Sequence, residues 1–111
     1  MQIHLSPRNV RLTGAIHAYV AEKIIRLENI ASEILAAHVV LVHDKQAESG
    51  AYFCVKVHLA IAGPDIHASE VDGDLYAAID KVSDKLAGLL RKRKTRLVDK
   101  RRKASPKEGR L

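Results

Sequence analysis

Apolar side chains in this chain switch between two spacings, and the switches divide it into six elements. Gln2 to Leu5 alternates polar and apolar before meeting Pro7, which predicts a short first strand. Thr13 then offers a hydroxyl to the free amides of a helix start. Ile16, Val20, Ile24, Leu27 and Ala31 follow at helical spacing, predicting a helix over residues 14–31. The run HVVLVHDK (38–45) is rich in β-branched residues and leads into QAESG, a strand followed by a turn. In AYFCVKVHLAIA (51–62), Phe53, Val55, Val57, Leu59 and Ile61 share one face; Tyr52, Cys54, Lys56 and His58 share the other. Gly63-Pro64-Asp65 reverses the chain, and IHASEV (66–71) returns as a partner strand, with Ile66 and Ala68 inward beside Ile61 and Leu59. The last helix starts near Asp72 or Asp74, either of which can cap it, and buries Leu75, Ile79, Val82, Leu86, Leu89 and Leu90.

The resulting order is β-α-β-β-β-α. One four-stranded sheet with both helices on the same face buries all three apolar sets, which is a two-layer α+β sandwich. A chain of 111 residues with 47% apolar side chains holds one such core and no second folded domain. The reading assigns residues 1–97 to that domain and residues 98–111 to a basic, disordered tail. The lone Cys54 cannot form an internal disulfide, and the start MQIHLSPR is unlike a secretion signal, so the expected compartment is the cytoplasm. No stretch approaches the roughly twenty apolar residues of a membrane-spanning helix.

Charge changes the picture. Nine of the nineteen Lys and Arg residues lie between Arg91 and Lys103, whereas residues 1–90 hold eight basic and eleven acidic side chains. Such polarity suits a polyanion met by one end of the molecule. On a wheel of about 100° per residue, Lys81, Lys85, Lys92 and Arg96 share an arc of roughly 60° beside the apolar stripe. Like charges four residues apart cost a helix a few tenths of a kcal/mol. Asp84 can offset Lys81, but no acidic residue stands at helical contact distance on the N-terminal side of Lys92 or Arg96. A polyphosphate would supply the missing countercharge. The plainer alternative is that Arg91 to Arg96 merely favour the negative end of the helix dipole.

Other chemistries find less support. Four aromatic residues, none paired on a strand, rule out base stacking of the RNA-recognition-motif kind and leave recognition through phosphates and shape. His58 and His67 can project from one sheet face, but two imidazoles without a carboxylate or thiolate nearby make a poor zinc site, so no metal or cofactor is expected. Asp80 and Asp84 read as surface charges on a convex helix, and Cys54 lacks an evident base. Tyr76 reads as a packing residue with its hydroxyl at the surface. No catalytic set emerges, and the expectation is a protein without enzymatic activity or a small-molecule substrate.

The segments MQIHLSPRNVRLTGAIHAYVAEKIIRLENI (1–30) and IHASEVDGDLYAAIDKVSDKLAGLLRKRK (66–94) resemble the ribosome hibernation promoting factor and ribosome-associated inhibitor family, also called sigma-54 modulation proteins. The most specific part is DLYAAID (74–80) followed by DKL (84–86) after the IHAS strand. The resemblance covers nearly all of residues 1–97 and implies a β-α-β-β-β-α fold akin to a double-stranded-RNA-binding domain. It also implies binding to the small (30S) ribosomal subunit and its 16S rRNA, in the channel for messenger RNA and tRNA, with translation inhibited by occlusion. Lys23 and Arg26 match basic positions of the family's first helix, and Lys85 and Lys92 match basic positions of its second. Together with Lys81, Arg91 and Arg96 they form the expected rRNA-binding set. Lys23 has an alternative role as a snorkelling side chain at the core edge.

Three departures matter. Gly88 stands where related chains carry Arg, the chain lacks the long form's C-terminal dimerisation domain, and its tail is basic where inhibitor-type relatives end acidic. The resemblance is therefore nearest the short promoting type, which implies a monomer off the ribosome and ribosome modulation factor as a second partner in pairing ribosomes. Two further readings stay open: a regulator that contacts a transcription factor through the same cations, and a generic double-stranded-RNA binder.

Overall fold

The computed structural model describes residues 1–45 and 52–109, with side chains through residue 94. Strands β1 (Gln2–Arg8), β2 (Ile34–Asp44), β3 (Tyr52–Ile61) and β4 (Ile66–Asp72) form one sheet in the order β1-β2-β3-β4. Helix α1 (Gly14–Leu27) links the parallel pair β1 and β2, and α2 (Leu75–Gly109) follows the antiparallel meander. The predicted order and layer arrangement are those found.

The core lies between the helices and one sheet face. Val20, Ile24 and Leu27 of α1 and Ile79, Val82, Leu86 and Leu90 of α2 close over Val39, Leu41, Val55, Val57 and Leu59. Leu89, expected in the core stripe, is only partly buried. Among the described residues no helix covers the other sheet face.

Boundaries shift where local competition decides. The Thr13 hydroxyl accepts Ile16 N–H at 3.2 Å, as a capping residue does. Helix α1 stops at Leu27 rather than residue 31, because Glu28, Asn29 and Ile30 donate to carbonyls three residues back, and Ala31 is buried by that turn. Strand β2 starts four residues before His38, across an irregularity between Ile34 and Ala36 that turns Leu35 outward. Strand β1 runs through Pro7, which an edge strand tolerates. Asp74, not Asp72, caps α2: its Oδ1 accepts Tyr76 N–H at 3.2 Å. Residues 98–109, expected as a disordered arm, continue α2 as helical backbone, consistent with the helix propensity of Lys, Arg and Ala.

The β3–β4 register differs from expectation by one two-residue step. Ile66 pairs with Leu59 and Ala68 with Val57. The pairing ends at Leu59 and Ile66, and Pro64, which lacks an N–H, stays in the turn. Asp65 Oδ1 instead accepts Ile61 N–H at 3.4 Å, and Gly63 turns the chain at φ +89.

Candidate nucleic-acid interface

Helices α1 and α2 pack side by side as one layer, and the DLYAAID motif joins them. Leu75, Ala78 and Ile79 are buried, while Tyr76 meets Tyr19 edge-on at 4.9 Å and 84°. Asp80 accepts the Tyr19 hydroxyl at 2.6 Å and holds Lys23 Nζ at 3.2 Å. Asp80 is thus an inter-helix tie, not the free surface charge expected. The Tyr19 hydrogen bond chiefly lowers the Asp80 pKa below the usual carboxylate value, and the same bond raises the Tyr19 phenol to about 12.

The ridge cations fall into two groups. Lys81 Nζ lies 2.9 Å from Asp72 and 3.1 Å from the Val71 carbonyl; Lys85 lies 3.4 Å from Glu70. Lys81 thus takes Asp72 in place of the Asp84 expected, and Lys85 has a carboxylate partner from β4 that helical spacing did not show. The signal was available: Ile66, Ala68, Glu70 and Asp72 alternate onto one face of β4, under α2. Arg26 pairs with Glu22 at 2.6 Å, so the first helix's two matching cations both have carboxylate partners. Lys23 spans the inter-helix groove, its Nζ 5.5 Å from the Tyr19 ring centroid.

Arg91 and Lys92 differ. Both are exposed, and among the described residues neither forms an ion pair. The Arg96 side chain lies outside the described residues. Arg93, between them in sequence, does structural work that spacing did not reveal: Nη1 donates to the Pro64 carbonyl at 2.8 Å and Nη2 to that of Ala62. It clamps the β3–β4 turn to α2, the partners standing 29 and 31 positions apart in sequence. At Gly88 an added Cβ meets nothing within 4 Å, so the surface there is open.

This arrangement suits electrostatic contact with an extended anion. Exposed ion pairs are worth about 0–1 kcal/mol, so Lys81, Lys85 and Arg26 hold their carboxylates weakly and can exchange them for phosphate oxygens. Among the described residues no helix is long and apolar enough to cross a membrane.

Comparisons with known proteins agree with this architecture. The family profile described as sigma 54 modulation protein / S30EA ribosomal protein matches residues 3–98. The Deinococcus radiodurans ribosome hibernation promotion factor is 41% identical over 107 residues, and this chain spans 56% of that relative's length. The Escherichia coli ribosome hibernation promoting factor is 36% identical over 97 residues, covering 87% of this chain and 97% of that protein. The crystal structure of the Thermus thermophilus Protein Y N-terminal domain superposes with TM-score 0.72 at 33% identity, over 83% of this chain and 98% of that one. A ribosomal subunit interface protein from Coxiella burnetii shares the fold, with TM-score 0.76 at 23% identity over 86% of this chain and 99% of that one. With a profile match from the first strand into the last helix, and relatives this similar over most of its length, the chain belongs to the sigma 54 modulation protein / S30EA ribosomal protein family.

Proposed function

We propose that this protein is a ribosome hibernation factor that docks on the small (30S) subunit in the messenger RNA and tRNA channel and blocks translation by occlusion. The carrying observation is that Arg91 and Lys92 are exposed and without an ion-pair partner among the described residues, on the same helix as the weakly paired Lys81 and Lys85. The similarity to ribosome hibernation factors points to the ribosome, and the ridge supplies a means of holding rRNA phosphates. In this reading Lys23, Arg26, Lys81, Lys85, Arg91, Lys92 and Arg96 contact 16S rRNA, residues 1–97 are the docking domain, and the protein is a cytoplasmic monomer off the ribosome. Where ribosome modulation factor is present, the two would act together in pairing ribosomes.

The test is co-sedimentation with purified 30S subunits. Arg91→Glu with Lys92→Glu should abolish pelleting while circular dichroism and thermal midpoint stay unchanged. Undiminished pelleting rejects this surface. Competition by plain duplex RNA as effective as unlabelled 30S subunits would favour the generic RNA binder instead.

A further inference from the structure

The sheet face away from the helices carries a row of histidines that crosses all four strands. His4 pairs in register with His38, His38 with His58, and His58 with His67. Their rings follow one another at centroid separations of 4.9, 5.9 and 4.1 Å, with interplanar angles of 14°, 45° and 30°. His4 and His38 are stacked, and the other two pairs are tilted. His4, His38 and His67 are exposed and His58 is partly so.

Apart from Asp65, which contacts His58, the described side chains next to the row are cationic or neutral. The next register line holds Ser6, Val40, Lys56 and Ser69, and the one beyond holds Arg8, Val42, Cys54 and Val71. Lys85 of α2 borders the same groove as His38, His58 and His67. Carboxylates occur only at the margins of the described face. Asp65 Oδ2 lies 2.7 Å from His58 Nε2, and Asp44, at the end of β2, hydrogen-bonds Tyr52.

We infer that this row is a second RNA-backbone contact, engaged by protonation of the histidines, so that acidification tightens RNA binding. The inference rests on the reading that RNA is the partner. Histidine is the side chain whose ordinary charge change falls between pH 5 and 8. Like charges directly opposite on neighbouring strands oppose one another. Phosphates laid along it remove that repulsion, and by reciprocity proton uptake strengthens phosphate binding. Three strand spacings make the row about 15 Å long, longer than any single phosphate. A small anion would reach only two rings, which favours a polymer.

The experiment measures anisotropy of a fluorescein-labelled twenty-base-pair RNA duplex with the full chain, at constant ionic strength with EDTA, at pH 7.5 and 5.8. The unmodified protein should bind at least about tenfold more tightly at the lower pH. His38→Gln with His67→Gln, which leaves the His58–Asp65 pair in place, should match it at pH 7.5 and lose most of that gain. An equal gain in this variant, or no gain in the unmodified protein, overturns the proposal. The 30S pelleting test at pH 7.5 separates the two readings. Failure there together with a histidine-dependent gain on duplex RNA would discard the ribosomal reading and keep this one.

Discussion

Arg91 and Lys92 offer the sharpest quantitative test, because they are exposed cations of α2 with no described carboxylate to leave behind. Replacing both with Gln removes two charges from an exposed helix turn, at a propensity cost of only a few tenths of a kcal/mol. If each holds one phosphate, the slope of log K against log salt becomes shallower by about 1.4–1.8, since a contact contributes roughly 0.7 on single strands and 0.9 on duplex. Taking the electrostatic contribution to vanish near 1 M salt, affinity at 0.1 M falls roughly 25- to 60-fold, about 2–2.5 kcal/mol. The companion variant, Lys81→Gln with Lys85→Gln, should change the slope by less than about 1, because those ammonium groups must first leave Asp72 and Glu70. Binding to 30S subunits across a salt series at fixed magnesium reads both variants. An unchanged slope for the first variant, or equal changes for both, would refute the division of the ridge into paired and unpaired cations.

Other outcomes follow from the same coordinates. Leu86→Ala deletes a side chain with 0% exposure between α2 and the sheet and should cost about 2–5 kcal/mol in urea unfolding; a loss under about 1 would contradict its place in the core. Arg93→Ala removes both donors to the β3–β4 turn and should cost about 1–3 kcal/mol, with faster amide exchange confined first to that turn, which a merely solvated cation would not produce. Gly88→Arg enters open surface, so it should stabilise α2 by about 1 kcal/mol and steepen the salt slope by about 0.7–0.9; a destabilised protein would show that the site is not open. Tyr19 binds its proton more tightly folded than unfolded, so its contribution is present below pH 10 and is lost as pH rises from there to about 12. Asp80 has the opposite sign, its contribution present above the ordinary carboxylate value and lost as pH falls through its lowered one. In a tyrosinate absorbance titration, Asp80→Ala should move the Tyr19 transition to lower pH, and an unmoved transition would deny the contact.

The six elements and the inward face of each were legible in the sequence because backbone geometry ties side-chain direction to spacing. A period near two marks a strand face and a period near 3.6 marks a helix stripe, so Val55, Val57 and Leu59, or Ile79, Val82 and Leu86, announce their burial locally. The same parity placed Glu70 and Asp72 beneath α2, although their partnership with Lys85 and Lys81 became visible only once strand and helix were set side by side. Tertiary structure alone decided which strands align and by how many residues. A two-residue slip preserves every inward and outward assignment, so parity cannot distinguish one register from the next. His4, His38, His58 and His67 could therefore be assigned to an outer face one at a time, but their meeting in a single row depends on three strand registers at once. Arg93 shows the same limit from the other side: nothing in the run Arg91 to Arg96 set it apart, and the carbonyls that claim it come from a turn whose approach to α2 depends on how the whole core packs.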